Sequence, residues 1–204
     1  AKLESGDFGF RLTGLYGTDY RFTMAKGFLS NQLFEHNLLY GYDIPEAYVQ
    51  LYSPFLAQGL LITIGRYIST PDIETQFAPN NYLISESLLF TYGIFTLTGI
   101  NATLKINDNV TWVGGINSGS DVLPWSDSAH PLTGQLLVRY VSNDNNDSLW
   151  GGINTLNQGH VKEEYDNLQQ FNMTWSHRFT PEFFTMTEGY YLFEYDGFRG
   201  GSCN

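Results

Sequence analysis

The stretch Thr98–Asn107, TGINATLKIN, alternates strictly: Thr98, Ile100, Ala102, Leu104 and Ile106 fall on one side of an extended chain, and Gly99, Asn101, Thr103, Lys105 and Asn107 on the other. The contrast returns in QFNMTWSHRF, Gln170–Phe179, where Phe171, Met173, Trp175, His177 and Phe179 oppose Gln170, Asn172, Thr174, Ser176 and Arg178. About ten residues is the length a tilted strand needs to cross a bilayer. Two faces of opposite character need two solvents. A soluble sandwich turns its apolar face inward, whereas a membrane barrel turns it outward to lipid around a wet lumen.

The 204 residues are 42% hydrophobic and 16% aromatic with 21 glycines, which suits one all-β domain over residues 1–204. No run of about eighteen apolar residues occurs, so no transmembrane helix is expected. The start AKLESGDFGF lacks a charged and apolar leader, as in a mature, processed chain. A formal charge of -11 with only 10 Lys and Arg makes nucleic acid a poor partner. Cys203 is the only cysteine, so neither an internal disulfide nor a cysteine-rich metal site forms.

Periodicity and turn chemistry predict strands over 7–18, 46–53, 60–68, 95–106, 110–119, 133–141, 148–156, 169–179 and 183–195, with no helix of consequence. Connections alternate in length: long at 19–45, 69–94, 120–132 and 157–168, short at 54–59, 107–109, 142–147 and 180–182. In an antiparallel meander, this gathers tight turns at one end and large loops at the other, the outer-membrane barrel rhythm. Asn107-Asp108-Asn109 and Thr180-Pro181-Glu182 carry turn-forming residues, and aromatics gather near strand ends at Phe8, Phe10, Trp112, Phe179, Phe183 and Phe184. Nine strands followed by a Gly-rich stretch do not close a wall, because single-chain bacterial barrels use even numbers. The expectation is an antiparallel up-and-down transmembrane β-barrel of which this chain is the N-terminal portion, its closing strands lying beyond 204.

Several stretches carry a family likeness: YGTDYRFTMAKGFLSNQL (16–33), IGRYISTPDIETQFAPNNY (64–82), LFTYGIFTLTGINATLKIND (89–108) and GSDVLPW (119–125). They resemble the OmpL-like β-barrel porin family. The resemblance implies an envelope barrel with more strands than are present here, and a pore more firmly than any particular solute.

The 69–94 connection is the leading candidate for function. Long porin loops fold inward, and charges at the constriction set selectivity. Asp72, Glu74 and Glu86 lie on it, Arg66 precedes it, and Arg11, Lys105, Arg139 and Arg178 are candidates for the facing wall. Arg66 paired with Asp72 or Glu74 would also pin the loop. His36, His130, His160 and His177 have no metal-ligand spacing, and Glu163-Glu164 reads as a solvated charge run. Ser176 and His177 point to opposite faces and no GxSxG elbow occurs, so hydrolase chemistry has little support. Gly114-Gly115 and Gly151-Gly152 lie within strands and suggest wall kinks or close packing. Of four sequons, at Asn101, Asn109, Asn146 and Asn172, the two in turns, Asn109 and Asn146, are candidate glycosylation sites.

The leading expectation is a non-enzymatic outer-membrane channel of a Gram-negative-type envelope, without cofactor or metal. It passes small polar solutes by diffusion, and its partners are membrane lipid, the solutes and, in a homo-oligomer, copies of itself. The alternative is a secreted or surface β-barrel or sandwich binding glycans or a partner through aromatic-rich loops. The exposed face of strands 95–106 and 169–179 separates the two.

Overall fold

Period-two patterning aligns across neighbouring strands, so like meets like. Ile100 sits between Ile64 and Ile116, and the adjacent Asn101 between Thr63 and Gly115. In this computed structural model, residues 6–25, 39–70, 73–75, 77–82, 85–125, 132–156 and 168–194 are described. They form one antiparallel sheet in chain order: β1 (Phe8–Gly17), β2 (Gly41–Ser53), β3 (Leu60–Ile68), β4 (Thr96–Lys105), β5 (Val110–Asn117), β6 (Thr133–Val141), β7 (Asp147–Leu156), β8 (Leu168–Arg178) and β9 (Phe184–Glu194). Among the described residues β1 and β9 are its two edges and the sheet is not closed. Among the described residues helix is confined to α1 (Tyr20–Thr23), a 3-10 turn at Ala78–Asn80 and α2 (Leu88–Tyr92).

Eight strands fall within two residues of their expected bounds, and β2 does not: it begins at Gly41 rather than 46. Pro45 reads as a strand breaker because it has no N–H to give a ladder. Here the register against β1 shifts between Thr13 and Leu15, opposite Glu46 and Asp43. The irregularity accommodates the proline, and the strand continues through it.

The apolar rows are the exposed ones. Ile100 is 44% and Met173 53% exposed, with Ile64, Ile116, Leu136 and Val138 also open on the same face. A soluble β core would bury these side chains. Exposed aromatics form two collars on this face, with Phe8, Phe55, Trp112, Trp175 and Phe179 toward the tight turns and Tyr16 and Tyr42 toward the long connections. Phe8 and Tyr16 are eight residues apart, roughly 26 Å along a strand at about 3.3 Å per residue. That suits the ~25 Å apolar band of outer-membrane barrels.

The inner face is largely polar, with Tyr67, Leu97, Val113 and Leu137 buried on it as well. Tyr67 Oη donates to Gln135 Oε1 (3.4 Å), Gln135 Nε2 to Asn154 Oδ1 (3.1 Å) and Asn154 Nδ2 to Gln170 Oε1 (2.9 Å), a buried amide chain running from β3 to β8. The glycine pairs serve curvature here. A Cβ on Gly115 would lie 2.5 Å from Ile100 O, and one on Gly152, whose φ is +150°, 2.2 Å from Leu136 O. Gly114 and Gly151, on the outer row, have no contact closer than 3.8 Å. The crowding is one-sided because a coiled sheet compresses its concave face.

Candidate functional site

The β3–β4 connection closes its base where Ser69 N donates to Phe95 O (3.0 Å). Within it, Asn81 closes a turn from both sides, Oδ1 accepting from Thr75 N (2.7 Å) and Nδ2 donating to Thr75 O (2.9 Å). The Glu74 carboxylate accepts from Ser87 N (3.0 Å) and from the Ser87 hydroxyl, while Ser87 Oγ accepts from Phe90 N (3.1 Å) and so caps α2. Phe90 and Phe95 then pack edge to face at 5.0 Å, with Phe22 of the α1 segment against both. A polar stretch thereby becomes a self-supported structure.

This structure reaches across the inner face. Ile73 N donates to Glu188 Oε2 at 3.3 Å, and the Tyr82 and Phe184 rings lie 5.7 Å apart. Glu188 and Phe184 both belong to the inner row of β9, which pairs with Thr174 and Arg178 of β8. Between the loop and strands β7 to β9 is a cavity of about 370 Å³, lined by Thr70, Ile73, Ser148, Trp150, Thr174 and Met186 among others.

The four wall cations, Arg11, Lys105, Arg139 and Arg178, all stand on inner rows. One row runs Lys105, Thr111, Arg139, Trp150, Thr174, Glu188 across six strands, with cations toward β4 and an acid at β9. Arg139 lies 5.5 Å from the Trp150 ring centroid, a cation–π arrangement. Arg11 Nε pairs with Glu46 at 2.8 Å, which also accepts from Thr13 Oγ1 (2.8 Å). Lys105 sits 3.7 Å from Asp108. Arg178 borders a hollow shared with Tyr82 and Asn146.

Arg66 departs from expectation. It shares the row of Ile62 and Ile64, not the inner row, and is only 5% exposed. Its carboxylate partner is Asp43, at 2.9 and 3.1 Å, rather than Glu74, and it also donates to Ile44 O (2.6 Å), to Thr23 O and toward Thr96 Oγ1. Glu74 is engaged by Ser87 instead. Asp72 lies outside the described residues. Thr96 links Arg66 to Asp121, whose carboxylate accepts from Thr96 N (2.7 Å), Phe95 N (3.3 Å) and Thr96 Oγ1 (3.0 Å). Burial pushes the Asp121 carboxyl up to about 6, with these hydrogen bonds and Arg66 pulling the other way. Glu86 is raised as well, by burial first and then by Asp19 and Glu74.

His177 Nδ1 lies 2.7 Å from Asp147 Oδ1, which also accepts from Trp175 Nε1 (3.1 Å), so a polar pair sits inside the turn-end aromatic collar. His36, His130, His160, Glu163, Glu164 and Cys203 lie outside the described residues, among which no group of three or more His, Cys, Asp or Glu could hold a metal ion. The turn sequons are ordered by their own amides: Asn109 Nδ2 donates to Val141 O (2.8 Å) and Asn146 Nδ2 to Asp144 Oδ2 (2.7 Å).

Glu188, Trp150, Tyr82, Asp43 and Asp121 escape a sequence reading. Glu188 had a usable signal, since it shares parity with Met186 and Tyr190 on the inner side of β9.

An up-and-down meander with an apolar exposed face, aromatic collars, tight turns at one end and a long loop crossing a polar inner face is the architecture of a transmembrane β-barrel of the outer membrane. Residues 1–201 match the model of the family described as "Putative beta-barrel porin-2, OmpL-like", and the chain belongs to that family of porin-like β-barrels. None of the curated proteins and none of the solved structures compared with the chain matches it.

Proposed function

We propose that the protein is a passive diffusion channel for small polar solutes in the outer membrane of a Gram-negative-type envelope, with the 69–94 loop setting its selectivity. The tether of Ile73 to Glu188 carries this reading, because it holds a charged loop across the polar face instead of leaving it at the rim. Glu74 and Glu86 lie on that loop, and Lys105, Arg139 and Arg178 stand on the inner rows of the wall. Opposed charges across a narrow passage create a transverse field that orients polar solutes. No bond is made or broken. Membrane lipid is the partner outside the wall, the solute the partner inside it, and copies of the chain complete a homo-oligomer; nucleic acid has no part in the function.

Reversal potential under a salt gradient tests the selectivity. Replacing Asp72, Glu74 and Glu86 with their amides shifts ion preference away from cations if these residues face the passage. An unchanged reversal potential assigns them to holding the loop alone.

A further inference from the structure

The cavity under the crossing loop has a definite chemistry. Its described lining residues carry six hydroxyls: Ser69, Thr70 and Thr75 on the loop, and Ser148, Thr174 and Ser176 on β7 and β8. Ser69 Oγ donates to Ile94 O, and Thr75 Oγ1 donates to Phe77 O (3.1 Å) and accepts from Phe77 N (3.2 Å), so each keeps at least one lone pair as an acceptor. Of the described lining residues Glu74 alone bears a formal charge, and its carboxylate accepts hydrogen bonds from Ser87. Trp150 contributes an aromatic surface beside Thr174, with Arg139 at its ring. The volume of about 370 Å³ lies within the ~300–1,000 Å³ range of small-molecule sites.

We infer that this cavity is a solute subsite for an uncharged polyhydroxy molecule of about monosaccharide size. Hydroxyls both donate and accept, so a wall of serine and threonine complements a polyol whose groups do the same. A free carboxylate would meet no cation among the described lining residues and would face the Glu74 carboxylate instead. An indole surface beside the hydroxyls matches the C–H face of a sugar ring. The inference rests on the channel reading and narrows its solute class.

The test is ion current through the protein in a planar bilayer, with D-glucose or sodium gluconate added. Glucose is expected to reduce the current saturably, and gluconate not to. Thr174→Val is expected to raise the half-saturating glucose concentration about fivefold, the loss of one hydrogen bond, with Thr174→Ser restoring most of it. Thr187→Val, on the outer row of β9, is expected to leave it unchanged. A conducting wild-type channel with no saturable glucose effect, or with equal effects of glucose and gluconate, overturns the subsite while the channel reading stands. Absence of conductance in inserted protein overturns the channel reading and the subsite with it.

Discussion

The amide nitrogen of Ile73 donates to the Glu188 carboxylate at 3.3 Å, joining residues 115 positions apart. One end of this bond is on the loop after β3 and the other on β9, so the contact spans the concave face. A hydrogen bond to a charged group contributes about 1.5–3 kcal/mol when its partner is otherwise desolvated. Glu188→Ala is expected to release the loop and raise single-channel conductance with more frequent switching. Glu188→Gln keeps a carbonyl acceptor and is expected to change it less. Single-channel recording of the two variants checks the ordering.

Arg66 and Asp43 form the buried ion pair of the loop end. Removing one partner of such a pair costs about 3–5 kcal/mol, because the other charge is left without compensation. Arg66→Met alone is therefore expected to lower the thermal unfolding midpoint sharply. Adding Asp43→Asn is expected to recover most of the loss. Unfolding of the four proteins in detergent, as a double-mutant cycle, measures the coupling.

How much of this was legible in sequence differs between residues. The rows through Ile100 and Met173 were readable because side-chain period two is local and each strand carries it alone. Nothing local marks Asp43 as the partner of Arg66. It sits beyond Pro45, in a segment read as loop, and the β1–β2 register shift that makes it strand belongs to the pairing of two strands. Parity would assign Arg66 to the lipid side, and it takes the Asp43 carboxylate together with the backbone carbonyls of Thr23 and Ile44 to keep a guanidinium there. The inward fold of the loop was readable as an expectation from its length and charge. Its anchor on Glu188 was not, because that contact is set by sheet curvature.

Asp121 makes the loop end respond to pH. Its carboxyl is raised by burial to about 6, above the ordinary carboxylate value near ~4. The folded state therefore binds the proton more tightly than the unfolded chain. The stability this group contributes is fully present below about pH 4 and is lost as pH rises through about 6. The difference in unfolding midpoint between wild type and Asp121→Asn is expected to move against the wild type over that interval. Thermal scans of both proteins from pH 4 to pH 7 check the sign.

Met173 and Thr174 are adjacent and face opposite solvents. Arginine on the lipid face near the bilayer midplane costs about 2–4 kcal/mol, whereas a lumen position tolerates it. Met173→Arg is expected to fold and insert poorly into liposomes. Thr174→Arg is expected to insert normally and to alter conductance. The heat-modifiable folded fraction on gels reports insertion for both.

Conductance of the protein in a planar bilayer tests the central claim most directly. Discrete, stable current steps that appear only with inserted protein, and whose size changes in Glu188→Ala, are the expected result. A protein that is demonstrably inserted, folded and protease-protected yet passes no current would contradict the account.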